Sequence, residues 1–233
     1  MVAAGTTQVA AVIGAGGGLG GALLAALDAG GDFGRVIGLG RDTQQPLDLL
    51  SEPSIAAAAA IVAGAGELRL VLDATGFLHG KGFSPERSLR ALDPAHMTHA
   101  YAINAIGPAL LMKHFCPLLP RQGRSVFATL SARVGSIGDN RLGGWHSYRA
   151  AKAALNQLVR TAAVEVGRSH PEAILVSLHP GTVATPLSAP FAKSGLAVRP
   201  AGQAAQDLLA VLAGLGPEDS GGFFDQTGAV IPW

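Results

Sequence analysis

An α/β fold, one doubly wound parallel sheet spanning residues 1–233, is what the order of apolar segments predicts. Short β-branched and leucine-rich runs alternate with segments of helical period, and no linker or internal repeat divides them. The first apolar run ends in a cluster of glycines. Hydrophobic residues make up 48% of the chain and charged residues only 14%, so most elements must be buried on at least one face.

Gln8–Ile13 reads as a buried parallel strand, followed by a helix over residues 19–29 that closes at Gly30-Gly31. Arg35–Gly40 is the second strand, and a brief extended piece is expected at residues 47–49. Ser51 or Ser54 caps an alanine-rich helix over residues 55–63 that ends at Gly64 or Gly66. Residues 68–73 form another buried strand, ending in Thr75-Gly76. A long helix over residues 94–118 carries Ile103, Ile106, Leu110, Leu111 and Phe115 on one side. Residues 124–130 read as a strand, with a loop to His146 behind it. The next helix runs to about Arg168, with Ala151, Leu155, Leu158, Ala162 and Val166 at helical spacing. A strand at 173–178, a helix near 203–212 and a strand near 222–225 complete the alternation.

The formal net charge is +1 and the arginines are scattered, so no footprint for nucleic acid or anionic lipid is visible. Cys116 is the one cysteine, which excludes an internal disulfide, and it reads as a buried small hydrophobe. His96 and His99 are a close pair with no further ligand patterned around them, so no metal site is expected. No charged side chain occurs between Met1 and Leu27. A signal peptide needs a basic start, and glycines interrupt the run that a membrane span would need, so a cytoplasmic protein with no membrane partner is expected.

Tyr148 and Lys152 stand one helical turn apart on one face. A phenol with its ordinary pKa of about 10 is a poor acid or base near neutrality, and a cation beside it favours the phenolate. Between the first strand and the first helix, Gly14, Gly18 and Gly20 satisfy Gly-x-x-x-Gly-x-Gly, with Leu19 between the last two. Glycines there permit a tight turn and close backbone approach, and the helix start offers free N–H groups to a pyrophosphate. The second strand ends Gly40-Arg41-Asp42. An arginine at this place accommodates a 2′-phosphate, which favours NADP(H) over NAD(H). Asp42 is expected to face solvent, although a shifted register would make it a ribose ligand.

With these residues in hand, the whole chain resembles the short-chain dehydrogenase/reductase family, which implies a Rossmann-type sheet. The family's glycine motif matches Gly14, Gly18 and Gly20, and its acidic adenine contact resembles Asp48, followed by Leu49. Its Asn-Asn-Ala-Gly loop is represented by Asp73-Ala74-Thr75-Gly76, a departure at the first three positions that keeps Gly76. Asn104 matches the helix asparagine, and Tyr148 with Lys152 matches the catalytic pair. Residues 180–185, with Pro180, Gly181, Val183 and Thr185, resemble the segment that contacts the nicotinamide carboxamide. The family's catalytic serine, counted back three places from Gly135, falls on Ala132; a one-residue shift makes Ser131 the first candidate and Ser136 the second. Gly135-Ser136-Ile137, Gly143-Gly144 and Ser147-Tyr148-Arg149 are similar to C-factor-type proteins and Sniffer-type carbonyl reductases.

The resemblance implies hydride transfer between NADP(H) and a small aldehyde or ketone. Tyr148 would act as general acid/base, Lys152 would tune it and bind ribose, Asn104 would hold a relay water, and a serine would stabilise the oxyanion. It also implies a homodimer or homotetramer. Residues 77–83, 133–146 and 187–198 are the expected substrate walls, with Trp145, Leu187 and Phe191 suggesting an apolar pocket, and Arg133 is expected to be a solvated loop arginine. The alternative is a nucleotide-binding signalling or interaction protein whose redox chemistry is incidental.

Overall fold

β1 (Gln8–Ile13) is apolar from Val9 onward on both of its faces, and a strand of that kind is stable only with helices above and below it. The computed structural model describes residues 7–191 and 198–233. Further strands follow in chain order: β2 (Arg35–Gly40), β3 (Gln45–Pro46), β4 (Glu67–Asp73), β5 (Ser125–Leu130), β6 (Ala173–His179), β7 (Thr182–Val183), β8 (Val198–Arg199) and β9 (Phe223–Asp225). β1 lies inside a seven-stranded, wholly parallel sheet ordered β3-β2-β1-β4-β5-β6-β9. β7 and β8 pair in a separate parallel ribbon.

Successive β1 residues point to opposite faces and join two different cores. Ala10 and Val12 pack beneath α1 (Gly18–Gly30) and α6 (Ala201–Gly214), with Leu23, Leu27, Leu208 and Leu212. Val9, Ala11 and Ile13 belong to the other core. That core is covered by α2 (Glu52–Ala63), α4 (Gly107–Phe115) and α5 (His146–Val166) through Ile55, Leu111, Phe115, Leu155 and Val159. Cys116 is buried in this second core, and burial pushes its thiol up to about 12.

The strands and most helices lie within one to three residues of their expected positions, and Ser51 is the α2 cap, accepting from the Ser54 N–H. Two expectations need correction. The extended piece is two residues earlier, at Gln45–Pro46, because Leu47 and Leu49 turn inward as buried anchors. The long helix expected over 94–118 is not continuous: α3 (Pro94–Tyr101) passes into a π turn at Ala102–Ile106 before α4 begins. Pro108 has no N–H to offer the Asn104 carbonyl, and the Gly107 N–H reaches back to Ala102, so the ladder takes up one extra residue there.

Gly107 exists because Leu49 lies against its α-carbon, where a methyl group would drive into the Leu49 side chain. Gly107→Ala is therefore expected to cost about 1–3 kcal/mol by overpacking. Urea denaturation would show it as a lower midpoint at unchanged slope, and an unchanged midpoint would refute the contact.

Candidate active site

The order of the sheet reverses between β1 and β4, and the loops leaving their C-terminal ends diverge there, which opens a crevice. Gly14 has φ +81°, and its N–H donates to the Leu39 carbonyl at 2.8 Å. A Cβ at Gly20 would collide with the Gly14 carbonyl, so the α1 start is pressed onto the end of β1. At Gly18 a Cβ would stand 3.1 Å from Thr185 Cγ2, which brings the segment after β6 against the glycine turn. No acidic residue occupies the first turn of α1 to compete with an anion, and Leu19 anchors that turn in the core.

Arg41 is exposed at the end of β2 and makes no ion pair among the described residues. Asp42 is exposed beside it. Asp48 is exposed as well, and its carboxylate accepts from the Leu50 N–H at 3.0 Å. Leu49 is buried against Gly107. Gly181 turns with φ +74°, Val183 is buried in the β7 ribbon, and Pro180 and Thr185 are half-buried around them.

Asn104, wholly buried on the π turn, receives the Phe77 N–H on Oδ1 at 2.9 Å and donates Nδ2 to the Phe77 carbonyl at 2.8 Å. This fixes the loop after β4. A Cβ at Gly76 would lie 3.7 Å from Asn104 Oδ1, 3.9 Å from Lys152 Nζ and 4.0 Å from Leu187 Cδ2. Gly76, Asn104 and Lys152 thus face one small space with Leu187 on its edge. Lys152, 2% exposed, donates Nζ to the Leu130 carbonyl at 2.8 Å and lies 5.9 Å from the Tyr148 ring centroid.

The electrostatics depart from expectation in one respect. Burial pushes the Tyr148 phenol up to about 12, away from the phenolate that a neighbouring cation would favour. Lys152 is itself lowered to about 8 by burial, and Asp73 opposes that shift.

Both candidate serine hydroxyls are engaged in contacts of their own. β5 ends at Leu130, and the Ser131 hydroxyl turns into the core to donate to Asn156 Oδ1 at 2.7 Å. Ser136 Oγ accepts from the Asp139 N–H at 3.0 Å. The one-residue shift that would have turned Ser131 outward does not occur, because Ser131 N is held by the Leu178 carbonyl and its side chain by α5. Arg133 is exposed, as expected of a loop arginine, and it also pairs with Asp225 at 2.9 Å and Asp139 at 3.4 Å.

Trp145 stands 6.3 Å from the Tyr148 ring and 5.2 Å from Phe191, and His79 meets Phe191 at 5.4 Å, so an aromatic wall borders the tyrosine. The remainder of the third expected wall, residues 192–197, lies outside the described residues. Sequence reasoning missed what holds the start of α5. Glu86 is buried there and accepts from the Ser147 hydroxyl and N–H, with His96 Nδ1 at 3.2 Å. Its charge sits at the positive end of the helix. Arg149 donates to the Gly144, Gly143 and Val134 carbonyls at 2.9, 3.1 and 3.2 Å. No local pattern announces these contacts, since Glu86 and Ser147 are 61 residues apart.

Sheet, glycine turn and the Tyr148–Lys152–Asn104 group together define a nucleotide-binding oxidoreductase fold of Rossmann type. A family model described as enoyl-(acyl carrier protein) reductase matches residues 33–206. The chain belongs to the short-chain dehydrogenase/reductase family. Among curated relatives it is 37% identical over 147 residues to C-signal of Myxococcus xanthus, covering 63% of this chain and 84% of that protein. It is 33% identical over 187 residues to 1-hydroxy-2-glutathionyl-2-methyl-3-butene dehydrogenase of Rhodococcus sp. (strain AD45), covering 80% and 78%. The NADPH-bound carbonyl reductase from chicken fatty liver superposes with a TM-score of 0.83 at 25% identity, covering 97% of this chain and 99% of that one. The carbonyl reductase Sniffer of D. melanogaster has the same fold, with a TM-score of 0.83 at 20% identity over 98% and 100%.

Burial works to raise the Glu86 pKa, but the Ser147 and main-chain hydrogen bonds and nearby His96 bring it below the ordinary 4.5. Its stabilisation is therefore complete above pH 4.5 and is lost as pH falls through the lower folded value. Glu86→Gln should cost about 1.5–3 kcal/mol at neutral pH and flatten that acid dependence. Thermal melts of both proteins between pH 3 and pH 7 (about this range brackets the group) would reveal parallel curves if Glu86 were inert.

Proposed function

We propose that this chain is an NADP(H)-dependent carbonyl reductase acting on a small aldehyde or ketone. The observation that carries it is the convergence of Tyr148, Lys152, Asn104 and Gly76 on the loop that packs against the glycine turn at Gly14. Bound NADP(H) supplies or accepts the hydride. Gly14, Gly18, Leu19 and Gly20 would hold the pyrophosphate, Arg41 the 2′-phosphate, and Asp48 with Leu49 the adenine. Gly76, Pro180, Gly181, Val183 and Thr185 would border the nicotinamide half. The NADPH carried by the chicken carbonyl reductase supports this assignment.

Tyr148 donates the proton to the carbonyl oxygen. With its pKa pushed up to about 12 the phenol is protonated at neutral pH, which suits a donor in the reductive direction. Lys152 resupplies that proton and binds the ribose, and the buried Asn104 amide keeps the loop of Gly76 open to both. The Ser131 hydroxyl, committed to Asn156, is given no part in polarising the carbonyl. Trp145 and Phe191 would exclude water from the reacting atoms. That same commitment of Ser131, with the likeness to C-signal, favours a second reading as a nucleotide-binding interaction protein.

NADPH consumption with a panel of aldehydes, ketones and diketones separates the two. Tyr148→Phe is expected to lower kcat by about 10²–10⁴-fold while NADPH binding stays the same. Binding without turnover on any member, unaltered by Tyr148→Phe, would establish the second reading. Arg41→Ala should raise KM for NADPH by at least about tenfold, the value of a lost charge-assisted contact, and leave KM for NADH little changed. Equal effects on both cofactors would remove Arg41 from the phosphate site.

A further inference from the structure

We infer that Asp73 is a positioning residue that acts through Lys152: its buried carboxylate is the counter-charge that keeps the ammonium charged. The inference rests on the proposed oxidoreductase reading for its kinetic consequence alone. Asp73 ends β4 directly opposite Thr129 near the end of β5. Thr129 Oγ1 donates to Oδ2 at 2.6 Å, while the Thr75 hydroxyl and N–H donate to Oδ1 at 2.6 and 3.0 Å. Three donors on one carboxylate favour its ionised form.

Lys152 reaches the same end of this strand pair from α5. Its Nζ bonds the carbonyl of Leu130, the residue after Thr129, and faces Gly76, three residues beyond Asp73. Asp73 is 1% exposed and Lys152 2%, so water screens neither. Tyr148, on its own helix, and the neutral Asn104 are the other polar side chains facing the lysine. The turn after β5 packs Gly135 on the Lys152 Cβ, while Arg133 in that turn is taken by Asp225 and Asp139. Glu86, at the start of α5, is taken by Ser147 and His96. Among the described residues Asp73 is the carboxylate left to answer Lys152.

The resemblance places asparagine at position 73. An amide fills the same volume but brings no charge. Burial alone lowers a lysine, and here it brings Lys152 to about 8 against the opposing pull of Asp73. Burial holds the Asp73 carboxyl above the ordinary carboxylate range, and the Thr129 and Thr75 hydrogen bonds and Lys152 oppose that rise without cancelling it. With the charge at 73 removed, the lysine loses its proton at a lower pH, inside the neutral range.

The chain has four lysines, so selective ¹³C labelling at lysine Cε resolves each one, and the signal absent from Lys152→Met identifies Lys152. In the full chain, Asp73→Asn should lower the Lys152 titration midpoint by about one pH unit or more. The alkaline limb of kcat/KM should move to lower pH by the same amount, with a loss of activity at high pH of about tenfold for each pH unit that the midpoint moves. Thr129→Val, which keeps Asp73 and removes one hydroxyl from its carboxylate, should give a smaller change in the same direction and serves if Asp73→Asn does not fold. An unmoved Lys152 midpoint in either folded variant would overturn the inference. A midpoint that moves in a protein with no turnover would uphold the counter-charge and reject the oxidoreductase reading.

Discussion

Two hydrogen bonds from one side chain hold this site together. The Asn104 amide pairs with both the N–H and the carbonyl of Phe77, and it does so in a fully buried place. Each bond contributes only about 0.5–1.5 kcal/mol net, but leaving either backbone group unpaired would cost about 1–3 kcal/mol. The penalty for loss therefore exceeds the gain from formation, and the loop after β4 has one satisfied position. That position decides where Gly76 lies, and hence how much room remains beside Lys152. The π turn carrying Asn104 follows from Pro108, so a missing N–H on one helix fixes a loop on the sheet.

The start of α5 is the second place where strain is offset by contacts. Gly143, Gly144 and Trp145 are three consecutive residues in left-handed backbone, and for a tryptophan this costs about 1–3 kcal/mol. Arg149 gathers the carbonyls before and within this turn, and the Trp145 N–H is received by the Glu86 carbonyl. Tyr148 and Trp145 are thus delivered to the same crevice by one overdetermined turn. The arrangement leaves Tyr148 half-buried beside the indole, which faces Phe191.

Strand positions were legible because the central strands are largely buried on both faces and appear as short, mainly apolar runs, as Val9–Ile13 illustrates. The pairing of Tyr148 with Lys152 was legible because helical period is local. Residues 47–49 misled because Leu-x-Leu looks like strand alternation, whereas both leucines here serve as plugs under α2 and α4. The π turn escaped because one extra residue hardly disturbs an apolar stripe. The orientation of Ser131 is set by Asn156 on another element, and the Arg133–Asp225 pair spans 92 residues, so neither could be read from spacing. The two-residue ribbon of β7 and β8 is too short to leave a pattern.

The position of Cys116 has a practical corollary. Because only the thiolate reacts, a sulfhydryl raised to about 12 and enclosed by the second core offers alkylating reagents a reactive fraction about three orders of magnitude below an ordinary free thiol. The native chain is in effect silent toward maleimides and disulfide probes while folded. A cysteine introduced on any exposed surface would be the sole attachment point for a fluorophore or spin label, with no need to mutate the natural one first.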